Sequence, residues 1–244
     1  ISSVTIDSTG QNSLANLIFA TGANNNNFAI NNDNGLANFT ITGSQNLSIG
    51  VREGTDMSSS GDTSGFSNGV NVNASDFTGD LRIAGSNSND TIAGGSGDDF
   101  IYGLNGTDQL TGNGGSDQFR LTDGTAVIKD FVIGTDKIGF ENDFANTDSS
   151  FEGIVLSSTD YVDNRAGITS IGSADDEKVI ELQSSLSTSQ IENDVGAAVE
   201  AFVLVFNDTT SKGELWFDTN WSDANNRDHI ATIDDVVSLV GVTN

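Results

Sequence analysis

The sequence predicts a mainly all-β chain: a parallel β-roll, or β-helix solenoid, preceded by a β-ladder or sandwich and followed by a β-rich capping region with one helix. Three observations predict it. Residues 85–120 divide into four nine-residue units, GSNSNDTIA, GGSGDDFIY, GLNGTDQLT and GNGGSDQFR. Short alternating triplets precede the units, and strand and helix patterns follow them. Proline is absent, so every turn must use Gly, Asn, Asp or Ser. The chain accordingly divides into 1–84, 85–120 and 121–244.

In residues 1–84 the triplets VTI (4–6), FAI (28–30), FTI (39–41), LSI (47–49) and VNV (70–72) alternate with period two, as half-buried strands do. GANNNNFAINNDNG at 22–35 is nearly low-complexity and reads as a solvated turn, and 50–69 reads as one long surface loop. The triplet LRI at 81–83 places Ile83 nine residues before Ile92, with Leu81 where an Asp would stand. The strand rhythm therefore begins before the repeats, without a linker.

Each unit opens on glycine (Gly85, Gly94, Gly103, Gly112), carries Asp at its sixth position (Asp90, Asp99, Asp108, Asp117) and a large apolar residue at its eighth (Ile92, Ile101, Leu110, Phe119). Six residues of Gly, Asn, Ser and Asp suit a tight turn, because Gly reaches positive φ freely and Asn or Asp tolerates it. The last three form a very short strand with one inward side chain. Two units make a coil of 18 residues, which stacks Asp90 on Asp108 and Asp99 on Asp117. Carboxylates held so close repel unless a cation lies between them. Oxygen-only donors with loop carbonyls suit Ca²⁺ rather than zinc or copper.

With its GGxGxDxUx pattern, this stretch resembles the β-roll of the RTX (repeats-in-toxin) proteins exported by type I secretion. The resemblance implies a ligand set: carbonyls of positions two and four plus the Asp from the lower turn, and carbonyls of positions one and three plus the Asp from the upper turn. One site then uses Ser86, Ser88, Asp90, Gly103, Asn105 and Asp108. The other uses Gly95, Gly97, Asp99, Gly112, Gly114 and Asp117. Ser86, Leu104 and Asn113 replace the second glycine of the pattern, and Ser88 replaces the fourth-position glycine of unit one.

After the units, TAVIKDFVIGTDKIGF at 125–140 is similar to the segment that follows the repeats in many type I-secreted proteins. A solenoid leaves its last rung open, and Phe131, Ile133, Ile138 and Phe140 can cover it. Asp130 and Asp136 are candidate further ligands there, with turn capping as the alternative. GIVLSS (153–158) and KVIEL (178–182) read as strands. Ser187 with Gln190 forms a capping box that starts a helix over about 188–200. AFVLVF (201–206) and ELWF (214–217) form a hairpin. FDTNWSDANNRD at 217–228 offers Asp218, Asn220, Ser222 and Asp228, either as a further calcium site or as an Asx-rich turn; it lacks the Gly and Glu of an EF-hand.

Lys plus Arg total 9 against 35 acidic residues, a formal charge of −26. This excludes a nucleic-acid binder, which must neutralise phosphates, and points to cations as partners. No cysteine is present, so there is neither a disulfide framework nor a Cys metal site. No 18-residue apolar run and no signal-peptide pattern appear. Gly65-Phe66-Ser67-Asn68-Gly69 matches G-x-S-x-G, but neither flank has the strand and helix that a nucleophile elbow needs. The single histidine, His229, removes any HExxH zinc site and reads as structural. The expectation is a protein that is not an enzyme.

The entry into the units, VNASDFTGDLRIAGS, with Asn- and Thr-rich strands before it, resembles bacterial surface-layer proteins. That resemblance implies a secreted, cell-surface protein that assembles into a lattice with calcium, with cell-surface polysaccharide as a further candidate partner. The alternative is the RTX secretion tail of an exported lipase or protease, or of an adhesin.

Overall fold

The computed structural model describes residues 3–9, 15–17, 37–50, 66, 68–121, 124–140, 161–175, 178–224 and 227–236. The Asn-rich stretch at 22–35, the FAI triplet, the strand expected at 153–158 and most of the loop at 50–69 lie outside them.

Among the described residues twelve strands build the roll: β1 (Ser3–Ser8), β2 (Ala15–Leu17), β3 (Ala37–Gly43), β4 (Leu47–Ile49), β5 (Val70–Phe77), β6 (Leu81–Ala84), β7 (Thr91–Ala93), β8 (Phe100–Tyr102), β9 (Thr107–Thr111), β10 (Gln118–Leu121), β11 (Thr125–Ile128) and β12 (Lys137–Phe140). They alternate between two parallel sheets. The odd strands form the long sheet, in the order β1-β3-β5-β7-β9-β11, and the even strands form the short one, β12-β10-β8-β6-β4-β2. The ladder before residue 85 thus shares both sheets with the repeats, and no break in either falls at that point. Of ladder and sandwich, the ladder is what forms.

Register explains why one apolar residue per unit suffices to define the core. Val72, Ile92, Leu110 and Ile128 stand side by side in the long sheet. Ile49, Ile83, Ile101, Phe119 and Ile138 do so in the short one. All are buried, so the interior is a thin stack of apolar side chains between two sheets. In the repeats, paired strands lie 18 residues apart, as the nonapeptide requires. Ahead of them Ala37 pairs with Val70 and Leu47 with Leu81, so those coils are almost twice as long.

Beyond the roll lie β13 (Tyr161–Arg165), β14 (Lys178–Leu182), helix α1 (Thr188–Asn193), β15 (Ala201–Asn207), β16 (Lys212–Asp218) and β17 (Asp228–Ile233). They continue the long sheet, which runs on as β11-β17-β16-β15-β14-β13. β17 pairs in parallel with β11, Ala126 facing Ala231 and Ile128 facing Ile233, and so seals the last rung of that sheet. Phe131 and Ile138 are buried in the same core and Ile133 packs on it, as expected of a cap; the Phe140 side chain lies outside the description. The hairpin forms from β15 and β16 as read. On its other face a second core gathers Ile180, Ile191, Val199, Val203 and Trp221.

The helix is shorter than its spacing suggests. The capping box is present, with Gln190 N–H donating to Ser187 and the Gln190 side chain accepting from the Ser187 N–H. The helix ends at Asn193 rather than near 200, because neighbouring chain takes the backbone bonds. Gly196 N–H donates to the Trp221 carbonyl at 2.8 Å and Ala197 N–H to that of Ile171 at 3.0 Å. Among the described residues no helix is long and apolar enough to cross a membrane.

Candidate metal centre

The four sixth-position aspartates are each 2% exposed, buried charges in a chain that has few cations to offer them. They stack as the 18-residue coil demands. Asp90 N–H donates to the Asp108 carboxylate at 2.9 Å, and Asp99 N–H donates to that of Asp117 at 2.9 Å. Each carboxylate also closes its own turn or the one below. Ser86 N–H donates to Asp90 at 2.6 Å and Gly95 N–H to Asp99 at 2.6 Å. Val70 and Leu81 N–H donate to Asp90 and Asp99 in turn.

The first-position glycines are required by contact. A Cβ on Gly94 would lie 2.2 Å from Asp99 Oδ2 and 2.9 Å from the Gly112 carbonyl oxygen. A Cβ on Gly85 would lie 2.4 Å from Asp90 Oδ2 and 2.7 Å from the Gly103 carbonyl oxygen. Two oxygens from successive coils thus converge on the space that the missing side chain leaves. Asp90 with Gly103 and Asp99 with Gly112 are members of the two ligand sets read from the sequence. These hard oxygen donors fit calcium. Among the described residues no group of three acidic, His or Cys side chains could hold a metal by itself, so backbone carbonyls must complete the sets.

The other expected ligands lie in the same turns, with different partners. The Gly95 carbonyl accepts from Gly114 N–H at 3.0 Å, and that of Ser88 accepts from the Ser86 hydroxyl at 3.1 Å. The Gly97 carbonyl lies under Gly115, and the Asn105 amide reaches Asn87. Ser86, a departure from the pattern, is fully buried, and its Oγ lies 3.0 and 3.2 Å from the two Asp90 oxygens. Leu104 and Asn113, at the second position of their units, have φ of 68° and 69°, the left-handed conformation that the pattern's glycine serves.

At the roll's end Asp136 continues the stack: Asp117 N–H donates to it at 3.0 Å and Val132 N–H at 2.7 Å. Asp130 accepts from Gly112 and Asn113 N–H at 2.9 and 2.7 Å. Both carboxylates thus accept from backbone amides of the turns beside them. Asp218 and Asn220 lie at the end of β16 and in the loop after it, where their hydrogen bonds draw the Asx-rich turn. One Asp218 oxygen accepts from Asn220 N–H at 2.9 Å, and the other faces Arg227 Nε at 3.4 Å. The guanidinium supplies the positive charge there, stacked 4.4 Å over Trp221. Asn220 in turn accepts from Ser222, which makes the Asx-rich turn. His229, in β17, lies 4.9 Å from the ring of Trp216 in β16 at a tilt of 43°, and burial lowers its pKa. Phe66, the second residue of the G-x-S-x-G match, is a core side chain against Phe39.

A second polar ladder escaped the sequence reading. Asp80 N–H donates to Asn46, Asp98 N–H to Asp80 and Ser116 N–H to Asp98, at 2.9, 3.0 and 2.8 Å. Thr107 N–H donates likewise to Asn89 at 2.9 Å. The signal was present: the fifth positions read Asn89, Asp98, Thr107 and Ser116, all short and polar.

Burial pushes the stacked carboxyls upward. Asp90 and Asp99 rise to about 6, against the amide donors that pull them down. Asp108 and Asp117 rise to about 7, where the aspartate one coil below adds its repulsion. The stack therefore holds protons at a pH where free carboxylates hold none. A bound calcium ion would supply the positive charge that takes their place.

A family model of the RTX calcium-binding nonapeptide repeat matches residues 84–119, in four copies. The chain carries RTX repeats. Such repeats bind calcium and are typical of secreted proteins. No curated protein and no solved structure matches the chain.

Proposed function

We propose that this chain is a calcium-dependent structural module of a secreted bacterial surface protein, one that folds on extracellular calcium and assembles into a surface layer. The observation that carries the reading is the pair of buried aspartate stacks, Asp90 on Asp108 and Asp99 on Asp117, each facing a carbonyl of the next coil. The first site takes Ser86, Ser88, Asp90, Gly103, Asn105 and Asp108; the second takes Gly95, Gly97, Asp99, Gly112, Gly114 and Asp117. Asp130 and Asp136 add ligands where the last turn meets the cap. The chain works by binding and assembly, not by catalysis.

Assembly is supported by the ends of the sheets. Among the described residues β1 ends the long sheet and β2 the short one, and Val4 and Ile6 of β1 are only partly buried although their neighbours Phe39 and Ile41 are fully so. End strands of this kind invite further strands. A surface of net charge −26 keeps copies apart until divalent ions neutralise it. Light scattering and electron microscopy across a calcium titration test the reading. Sheets or fibres at millimolar calcium that dissolve in chelator are expected. A strictly monomeric protein at high concentration and millimolar calcium favours the secretion tail of an exported enzyme instead.

A further inference from the structure

We infer that metal dependence is confined to the repeat coils, and that the coils before Gly85 fold and stay folded without metal. The inference rests on the calcium-dependent reading of the repeats and concerns what lies beside them.

The sixth-position column shows where metal is needed. In the long sheet it runs Val70, Asp90, Asp108, Ala126. In the short sheet it runs Leu47, Leu81, Asp99, Asp117, Asp136. Carboxylates fill the column only through the repeats and the turn after them; ahead of them the same place holds Val70, Leu47 and Leu81, each 0–1% exposed. An apolar side chain there stabilises the stack by burial, where a carboxylate needs a cation.

The coils on that side also bury more. β3 and β5 have seven and eight residues, against three for β7 and β8. The coil around β3 and β4 buries Phe39, Ile41, Leu47 and Ile49. The next adds Phe66, Val72 and Phe77 to Val70, Leu81 and Ile83. Each repeat unit contributes a single side chain to that core, and Tyr102 is buried apart from it against Ala84. The two regimes meet where Val70 and Leu81 N–H donate to Asp90 and Asp99, so the metal-free coils present a finished edge on which the first repeat coil builds. On the other side the cluster around Ile180, Val203 and Trp221 forms a core of its own. Removing calcium leaves two folded parts joined by a loosened middle.

Hydrogen exchange read by mass spectrometry on the full chain, in calcium and in chelator, tests this. The expected result is that peptides within 91–121 lose about a hundredfold or more of their protection in chelator, while those within 37–49 and 70–84 change by less than about tenfold. Equal loss in both regions overturns the inference and leaves calcium-dependent folding standing. Unchanged protection everywhere overturns calcium-dependent folding itself. The variant Leu81→Asp places a carboxylate beneath Asp99 and should make the 70–84 coil behave as a repeat: protection lost in chelator and regained in calcium. Protection that is never lost, or not regained, shows that the column does not set metal dependence.

Discussion

The Asp99 amide donates to the Asp117 carboxylate at 2.9 Å, so a side chain expected to ligate metal also holds the coil below it. The two roles can be separated by chemistry. In Asp117→Asn the amide oxygen still accepts from Asp99 N–H, but the buried charge is gone. This variant should be ordered in chelator at least as well as the parent and should respond to calcium at concentrations raised tenfold or more. Asp117→Ala loses both roles and a charge-assisted bond of about 1.5–3 kcal/mol, and with them assembly. Far-UV circular dichroism over a calcium titration distinguishes the three proteins.

Acid should substitute in part for calcium. The stacked carboxyls titrate near 6 (Asp90, Asp99) and near 7 (Asp108, Asp117) in the fold, against 3.8 for the ordinary group. Between these values the folded chain holds more protons than the unfolded one. Its metal-free stability is therefore fully present below about pH 4 as far as these groups decide, and is lost as pH rises through 6 and 7. Thermal melts in chelator should show a more stable roll at pH 5 than at pH 8. In calcium the order should reverse, because protons and metal compete for the same oxygens.

Gly94→Ala should abolish the second site, since the added carbon would stand 2.2 Å from Asp99 Oδ2 and 2.9 Å from a backbone oxygen. Gly167→Ala is the matched control. Nothing lies within 4 Å of where its Cβ would stand and its φ of 179° is extended, so the change should stay within about 0.5 kcal/mol. Isothermal titration calorimetry with calcium should find fewer ions bound by the first variant and an unaltered number by the second.

Leu104 occupies the left-handed region at φ 68°, which costs a leucine about 1–2 kcal/mol. Asn113, one unit later, shows how the turn accepts asparagine: its amide donates to the Gly94 carbonyl at 2.8 Å. Leu104→Asn should stabilise the calcium-loaded roll by about 0.5–1 kcal/mol, seen as a rise in melting temperature.

Arg227 sits with its side chain 2% exposed between Asp218, the Trp221 ring and the carbonyls of Ile191, Asp194 and Asp223. Arg227→Ala strands Asp218 as a buried charge and should cost about 3 kcal/mol. Tryptophan fluorescence during urea unfolding measures the loss.

The repeats, the strand triplets, the capping box and the hairpin were legible because each is written within a few residues. The continuation of the long sheet from β11 to β17 was not, since Ala126 and Ala231 meet across more than a hundred residues and neither carries a sign of the other. The helix was overread for a related reason. Val195 and Val199 fit the helical period, but distant backbone takes the hydrogen bonds, leaving Val195 45% exposed and Val199 buried. At Asp218 the residues suited calcium, and only the fold brings Arg227 against them.

The 18-residue coil has a mechanical consequence. Along the stack each coil advances one strand spacing, about 4.8 Å, whereas the same residues drawn taut span about 60 Å. A pull along the stack would meet this slack in the repeats, and with calcium bound at the turns the force needed to release it should rise. The load at which such a stack lengthens should then follow calcium concentration, and a relaxed stack should recover its original length with no covalent bond broken.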